Sequence, residues 1–525
     1  MSRGARPLCS GVLVRGVFGQ QSGKIYEPRD LFRRDCKWAH KGIDMINITF
    51  YDFQSKRFDI DSPPRPPVDV NRGLAPARSP GSQWGDTRSM KKTQNALLES
   101  DEAITPVPVD QRQHWLSPAV VFGGLEFTIP VIMVGAALAA DFRLTTILLI
   151  LVVALAIQWV GNTIAGYIGA KTGRSSSVIA RASFGNAQAR FVIGTILFIV
   201  SLCWWAIQTA VAGQAIAAMF GVDYETDWGK WALITVVIGL IFAVPSVIGF
   251  SSMKWTDYLA LPAGLVLIVT GVYLALSTSG LSGLLAWDPD GKMSFLAGVT
   301  LVIGANVAQW LIAADYTRYA KPTLSDNIKI PLGIVAVGFP LFLVGAVMAI
   351  SVGDADLVSV MVGLGFAFWG FIILWLATWT SQLVNNYSMG LALANMLNIN
   401  SGKGRAWLTF GGTIIAIVIA LTGILDHFTV FLSSSAVIYA ATAGVIFFDF
   451  FFIRKQGFQN NRGWNWVATV ALIVGIVVGL ITQYVWQVGI PPVQTLLLSG
   501  LTYLVGSRLK ARTAPDRFTG GVSQA

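Results

Sequence analysis

From residue 117 onward, long apolar stretches alternate with short polar connections. Each stretch approaches the roughly 20 residues that a helix needs to cross a bilayer. With no water in the hydrocarbon core, backbone groups must pair within the segment, so these stretches are helices. Strand-like alternation is absent. The pattern predicts twelve spans, near residues 118–140, 143–168, 188–220, 230–250, 255–277, 294–314, 329–351, 357–380, 406–425, 428–452, 464–485 and 489–507. The connections alternate in charge. Odd-numbered ones carry Asp141, Asp223/Glu225/Asp227, Asp288/Asp290, Asp354/Asp356 and Asp426. Even-numbered ones carry Lys171/Arg174/Arg181/Arg190, Lys254, Arg318/Lys321/Lys329, Lys403/Arg405 and Arg454/Lys455/Arg462. Basic loops stay in the cytoplasm, so both termini are expected on the cytoplasmic side of the membrane. The fold class is an all-α polytopic membrane protein.

Composition agrees. A hydrophobic fraction of 54%, 13% charged residues and a mean hydropathy of +0.60 exclude an ordinary soluble domain. The net charge of +10 does not mark a nucleic-acid partner. Residues 1–89 hold fifteen basic and nine acidic side chains, and most of the remaining excess is the bias of the basic loops. Cys9, Cys36 and Cys203 suggest neither a disulfide framework nor a metal site. His40, His114 and His427 form no ligand cluster. No catalytic constellation is visible, so an enzyme, or a receptor with a large signalling domain, is disfavoured. No cofactor is expected beyond a coupling ion.

Residues 1–89 lack the regularly spaced apolar positions of a core and the h-region of a signal peptide. They are expected to be a disordered extension, or to lie upstream of a true start at Met90. Residues 90–116 read as a cytoplasmic tail and 508–525 as another.

Two spans carry breaks. The first has Gly123-Gly124 and Pro130 on either side of a carboxylate, Glu126. The sixth, beginning LAGVTLVIGANVAQW, places Gly304 and Asn306 in mid-membrane. Breaks in the first and sixth spans are the signature of an inverted-repeat transporter, whose freed half-helix ends bind ions and substrate at the midplane. Glycine also serves close helix packing.

Polar side chains at membrane depth are costly, and here they gather in four spans. The first offers Glu126 and Thr128, and the sixth Asn306 and Gln309. In the third, Trp204 and Gln208 share a helical face at i, i+4. The eighth carries Thr378, Thr380, Ser381, Gln382, Asn385 and Asn386. A flat heteroaromatic ring stacks on an indole, and its mixed N–H and C=O edge pairs with carboxamides. A nucleobase, hydantoin or related cyclic amide suits that inventory; the same amides can also simply join helices. Thr380 and Ser381 offer hard oxygens for Na⁺, and Glu126 is a candidate proton carrier or acceptor of a substrate N–H. Na⁺ and H⁺ both remain open as the coupling ion.

Several motifs are recognisable. GYIGAKTGRSSSVIARASFG (166–185) resembles the loop between spans two and three of bacterial cytosine permeases. WWAIQ (204–208), AADYTRYAKP (313–322) and ATWTSQ (377–382) resemble motifs of the same nucleobase–cation symporter family. The resemblance covers roughly 110–510. It implies a leucine-transporter-type fold with a five-plus-five inverted repeat: a ten-helix core over 117–452 (halves about 117–277 and 294–452) and two peripheral helices over 453–507. It also implies a small nucleobase-like substrate between spans one, three, six and eight, in a protein that acts as a monomer. Residue by residue, Trp204 would stack on the ring and Gln208 would bond its edge, with Gln382 and Asn386 adding amides. Asn306 and Thr128 stand where relatives carry other residues. The family's sodium pattern falls on the carbonyls of Gly124 and Phe127 and on Ala377, Thr380 and Ser381.

Overall fold

The computed structural model describes residues 106–513 except 127, 225, 249, 367, 400 and 462. For 250–264, 368, 369, 373, 375, 377, 378, 380, 384 and 513 it describes the backbone alone. The expected extension, residues 1–89, and the tail 514–525 lie outside the described residues.

In chain order the helices are α1 (Leu116–Glu126), α2 (Ile129–Ala139), α3 (Leu144–Thr172), α4 (Ser176–Phe184), α5 (Gly194–Met219), α6 (Trp228–Ile248) and α7 (Phe250–Ala286). Then come α8 (Phe295–Asn306), α9 (Gln309–Thr317), α10 (Leu324–Lys329), α11 (Leu332–Val352) and α12 (Leu357–Gly363). The series ends with α13 (Phe368–Leu397), α14 (Gly402–Leu421), α15 (Phe428–Phe448), α16 (Trp466–Ile481) and α17 (Pro491–Thr513). Among the described residues nine helical segments are long and apolar enough to span, and the bent pair α1–α2 makes ten. At about 1.5 Å per residue, α13 with 30 residues and α17 with 23 also have the length to cross.

The packing is reciprocal. The α1–α2 pair lies on α11, whereas α8–α9 lies on α3; α5 packs along α13; short α4 touches α9, and short α12 touches α2. Elements five spans apart thus exchange partners, as an inverted repeat requires. Helices α15, α16 and α17 pack as a group.

Glycine sets how closely these elements approach. A Cβ on Gly135 would meet the Phe342 carbonyl at 1.9 Å, and one on Gly345 the Ile132 carbonyl at 1.9 Å, so α2 and α11 run backbone to backbone. On the other side, Cβ atoms on Gly161 and Gly169 would strike Trp310 and Ala314. Gly123 faces Gly333 and Gly304 faces Leu432, so both of these break glycines serve packing.

Two boundaries differ from the sequence reading. The eighth span was placed at 357–380, but residues 357–363 form the separate helix α12. The chain turns at Gly365 (φ 70°), and α13 runs on to Leu397. The two interruptions are also unequal. Span one breaks with a 60° bend and an extended Thr128, whereas at the break in span six Val307 and Ala308 keep helical dihedrals.

The loop motifs have structural work. Asp315 accepts the Ser176 N–H at 2.8 Å, capping α4. Asp449 is 1% exposed and accepts from Ser183 Oγ (2.9 Å), Tyr503 OH (2.7 Å) and Arg454 Nε (2.7 Å). Arg454 also donates to the Ala182 carbonyl. One buried ion pair therefore ties α4 to the end of α15 and to α17.

Candidate functional site

Span one breaks immediately after Glu126. Pro130 lies in the first turn of α2, where its missing N–H costs nothing. Thr128 sits in the N-cap position, half-buried, and its N–H reaches back to the Glu126 carbonyl at 2.8 Å. The Glu126 side chain is 1% exposed. Two carboxamides meet it: Asn306 Nδ2 donates to Oε1, and Gln309 Nε2 donates to Oε2 at 3.0 Å. Asn306 is the last residue of α8 and Gln309 the first of α9, so the donors flank the interruption of span six. Salt bridges among the described residues include Arg143–Asp288, Lys230–Asp227 and Arg454–Asp449. None supplies a cation to Glu126. Gly338 of α11 makes room for the carboxylate, since a Cβ there would lie 2.7 Å from Oε1.

Trp204 is half-buried on α5 and stands edge-on to Phe431 at 5.3 Å and Phe428 at 6.5 Å. Leu432, next to Phe431, touches Gly304 of α8, so the indole approaches span six through α15. Gln208, one turn on, is 2% exposed, and its Oε1 has no protein partner. Gln382 of α13 is fully buried. Its Nε2 donates to Thr209 Oγ1 at 2.5 Å, and its Oε1 is unpartnered. Asn386 differs: Nδ2 donates to Ser246 Oγ at 2.8 Å and Oδ1 accepts from Thr413 at 3.0 Å, bonds that join α13 to α6 and α14.

For the sodium pattern, Phe127 and the side chains of Ala377 and Thr380 lie outside the described residues. Gly124 is exposed, with open space where a Cβ would sit, and Ser381 is half-buried. Sequence reasoning missed Gly338, Thr209 and the Phe428/Phe431 wall. Each owes its place to tertiary packing and leaves no local signal.

A buried carboxylate is thus held between two interrupted helices of a many-span helical protein. The chain belongs to the family described as permeases for cytosine/purines, uracil, thiamine and allantoin, which matches residues 106–506. It is 28% identical to the cytosine permease of Escherichia coli K12 over 410 residues, covering 76% of this chain and 92% of that one. The allantoin permease of Bacillus subtilis 168 is 24% identical over 476 residues, 78% of this chain and 93% of the relative. Among solved structures, inward-facing Mhp1 superposes with a TM-score of 0.67 at 19% identity, covering 79% and 94% of the two chains. Mhp1, a nucleobase–cation symport transporter, closed with bromovinylhydantoin bound, gives 0.61 at 18% identity, covering 79% and 96%. The fold is therefore the leucine-transporter type, and the family is one of transporters, not enzymes.

Proposed function

We propose that the protein is a secondary symporter that imports a nucleobase or closely related heterocycle by alternating access, driven by Na⁺ or H⁺. The observation that carries this reading is the Glu126–Asn306–Gln309 cluster at the paired interruptions. A polar group closed from solvent at membrane depth is tolerated only where it has partners, and family membership says what kind of cargo to look for. Trp204 offers a ring face, and Gln208 and Gln382 offer edge acceptors; Thr128 and Asn306 complete the candidate set, while Asn386, bonded to protein at both ends of its carboxamide, joins the helices around it. The cation would lie between the carbonyls of Gly124 and Phe127 and the oxygens around Ala377, Thr380 and Ser381. The bend at Thr128 lets α1 move relative to α2, which would open the site to one side at a time.

A second reading, a hydantoin or allantoin permease of the same fold, is supported by the allantoin permease relative and the hydantoin bound to Mhp1. Positive loop bias and the bacterial relatives favour the inner membrane with both termini cytoplasmic. The unit is proposed to work as a monomer. The family match begins at residue 106, which supports placing residues 1–89 outside the transport unit. Uptake of radiolabelled cytosine, uracil, adenine, allantoin and a hydantoin into expressing cells, each with and without Na⁺, tests the reading. Absence of uptake for every compound at normal membrane expression overturns it.

A further inference from the structure

The carboxylate cluster says more about its cargo than the family does. An ionised carboxylate can only accept, and the amide nitrogens of Asn306 and Gln309 face Glu126. Their carbonyl oxygens are thereby turned away from it. Gln309 is 6% exposed, and its Oε1 is left without a partner. A buried acceptor without a donor is costly in a native protein, and so is a buried carboxylate with no cationic neighbour. The same lack recurs at Gln208 Oε1 and Gln382 Oε1, on the helices expected to line the site. Three carboxamide oxygens on these helices therefore lack an N–H donor.

We infer that Glu126, seconded by Gln309, is the specificity-determining residue of the substrate site and selects heterocycles that present an exocyclic amino group over their oxo counterparts. This inference rests on the transport reading above. An amino group brings two N–H donors to oxygens that have none. An oxo group at the same ring position sets a lone pair against the carboxylate and leaves Gln309 Oε1 unsatisfied. Ionised, Glu126 is the discriminating member because it has no donor to offer, whereas a carboxamide can turn to present one. Gly338 contributes by leaving room for the carboxyl group.

The test measures equilibrium binding to the purified full-length protein with two matched pairs, cytosine with uracil and adenine with hypoxanthine. Each pair exchanges amino for oxo at one ring position and turns the adjacent ring nitrogen from an acceptor into an N–H donor. In the parent protein the amino member of a pair that binds is expected to bind at least about tenfold tighter, the scale of one mismatched buried polar contact. Glu126→Gln, similar in shape and able to present either donor or acceptor, should shrink that ratio to within about threefold, the loss of a contact of that scale. Gln309→Met, which keeps the carboxylate, should reduce the ratio in part and decides the matter if Glu126→Gln does not fold. A parent that prefers the oxo members, or a ratio that neither variant changes, overturns the inference while leaving the transport reading standing. If none of the four compounds binds the parent, the inference is overturned, and uptake of allantoin and a hydantoin decides whether the transport reading stands. If Na⁺, compared with choline, stabilises the parent but not Glu126→Gln while the ratio stays fixed, Glu126 is a cation ligand and the inference is wrong.

Discussion

Asn306, the last residue of α8, donates its side-chain amide to Glu126, the last residue of α1, joining the interruptions of spans one and six to each other. Gln309 holds the other carboxylate oxygen at 3.0 Å. Asn306→Leu leaves Glu126 with one donor fewer in a dry environment, a loss of about 1–3 kcal/mol. The variant should melt earlier in detergent and lose uptake, whereas Asn306→Gln, which keeps an amide, should be milder. Equal melting temperatures for the parent and the leucine variant would show that this bond does not hold the two breaks together.

Gly338→Ala places a methyl 2.7 Å from Glu126 Oε1. The carboxylate cannot yield without straining the two hydrogen bonds it accepts from Asn306 and Gln309, so uptake should fall sharply at unchanged membrane expression. Gly411→Ala on α14 is the control, because a Cβ there meets nothing within 4 Å. If the two alanines behave alike in uptake, the space at Gly338 is not set aside for Glu126.

Trp204→Ala should weaken substrate binding by about 1–3 kcal/mol, the range for an aromatic stacked on a base. Trp204→Phe keeps a ring face and should lose less. Asn386 offers the contrast: both ends of its carboxamide bond protein groups. Asn386→Ala should therefore lower thermal stability more clearly than it alters affinity. Calorimetry and ligand titration on the same preparations separate the two effects; a large affinity loss without destabilisation would put Asn386 on the substrate.

Two ion pairs of different burial should respond differently. Removing Asp449 strands Arg454 and unpairs Tyr503 and Ser183, so Asp449→Ala should destabilise by about 3–5 kcal/mol, as breaking buried pairs does. Arg143 and Asp288 are about 60% exposed. The Arg143 guanidinium holds the Asp288 carboxyl below its usual range, so any contribution it makes is present at neutral pH and lost on acidification through that lowered value. Water screens the pair, and Asp288→Asn should leave the melting temperature at neutral pH essentially unchanged. A large drop there would contradict that assignment.

Much of this architecture was legible in residue order because a bilayer leaves so few solutions. Apolar length marks a span, loop charge marks a side, and a carboxylate such as Glu126 at membrane depth is costly enough to signal a role. The eighth span was misplaced for a physical reason. Residues 357–380 form one apolar run that hides the turn at Gly365, and Gln382 to Asn386 look like a helix end although α13 continues beyond them. Pairings such as Gln382 with Thr209, or Glu126 with Gly338, come from how separate helices meet. Nothing in the local sequence encodes them.

The most direct test of the account is accumulation in proteoliposomes. Purified protein is reconstituted, and radiolabelled cytosine, adenine, allantoin and a hydantoin are offered with an inward Na⁺ gradient, an inward H⁺ gradient, or neither. The account predicts that at least one compound is concentrated above equilibrium under one gradient, that its accumulation collapses when that gradient is dissipated, and that it is taken up more slowly with Trp204→Ala. Equilibration of every compound to the same level with or without either gradient would contradict it.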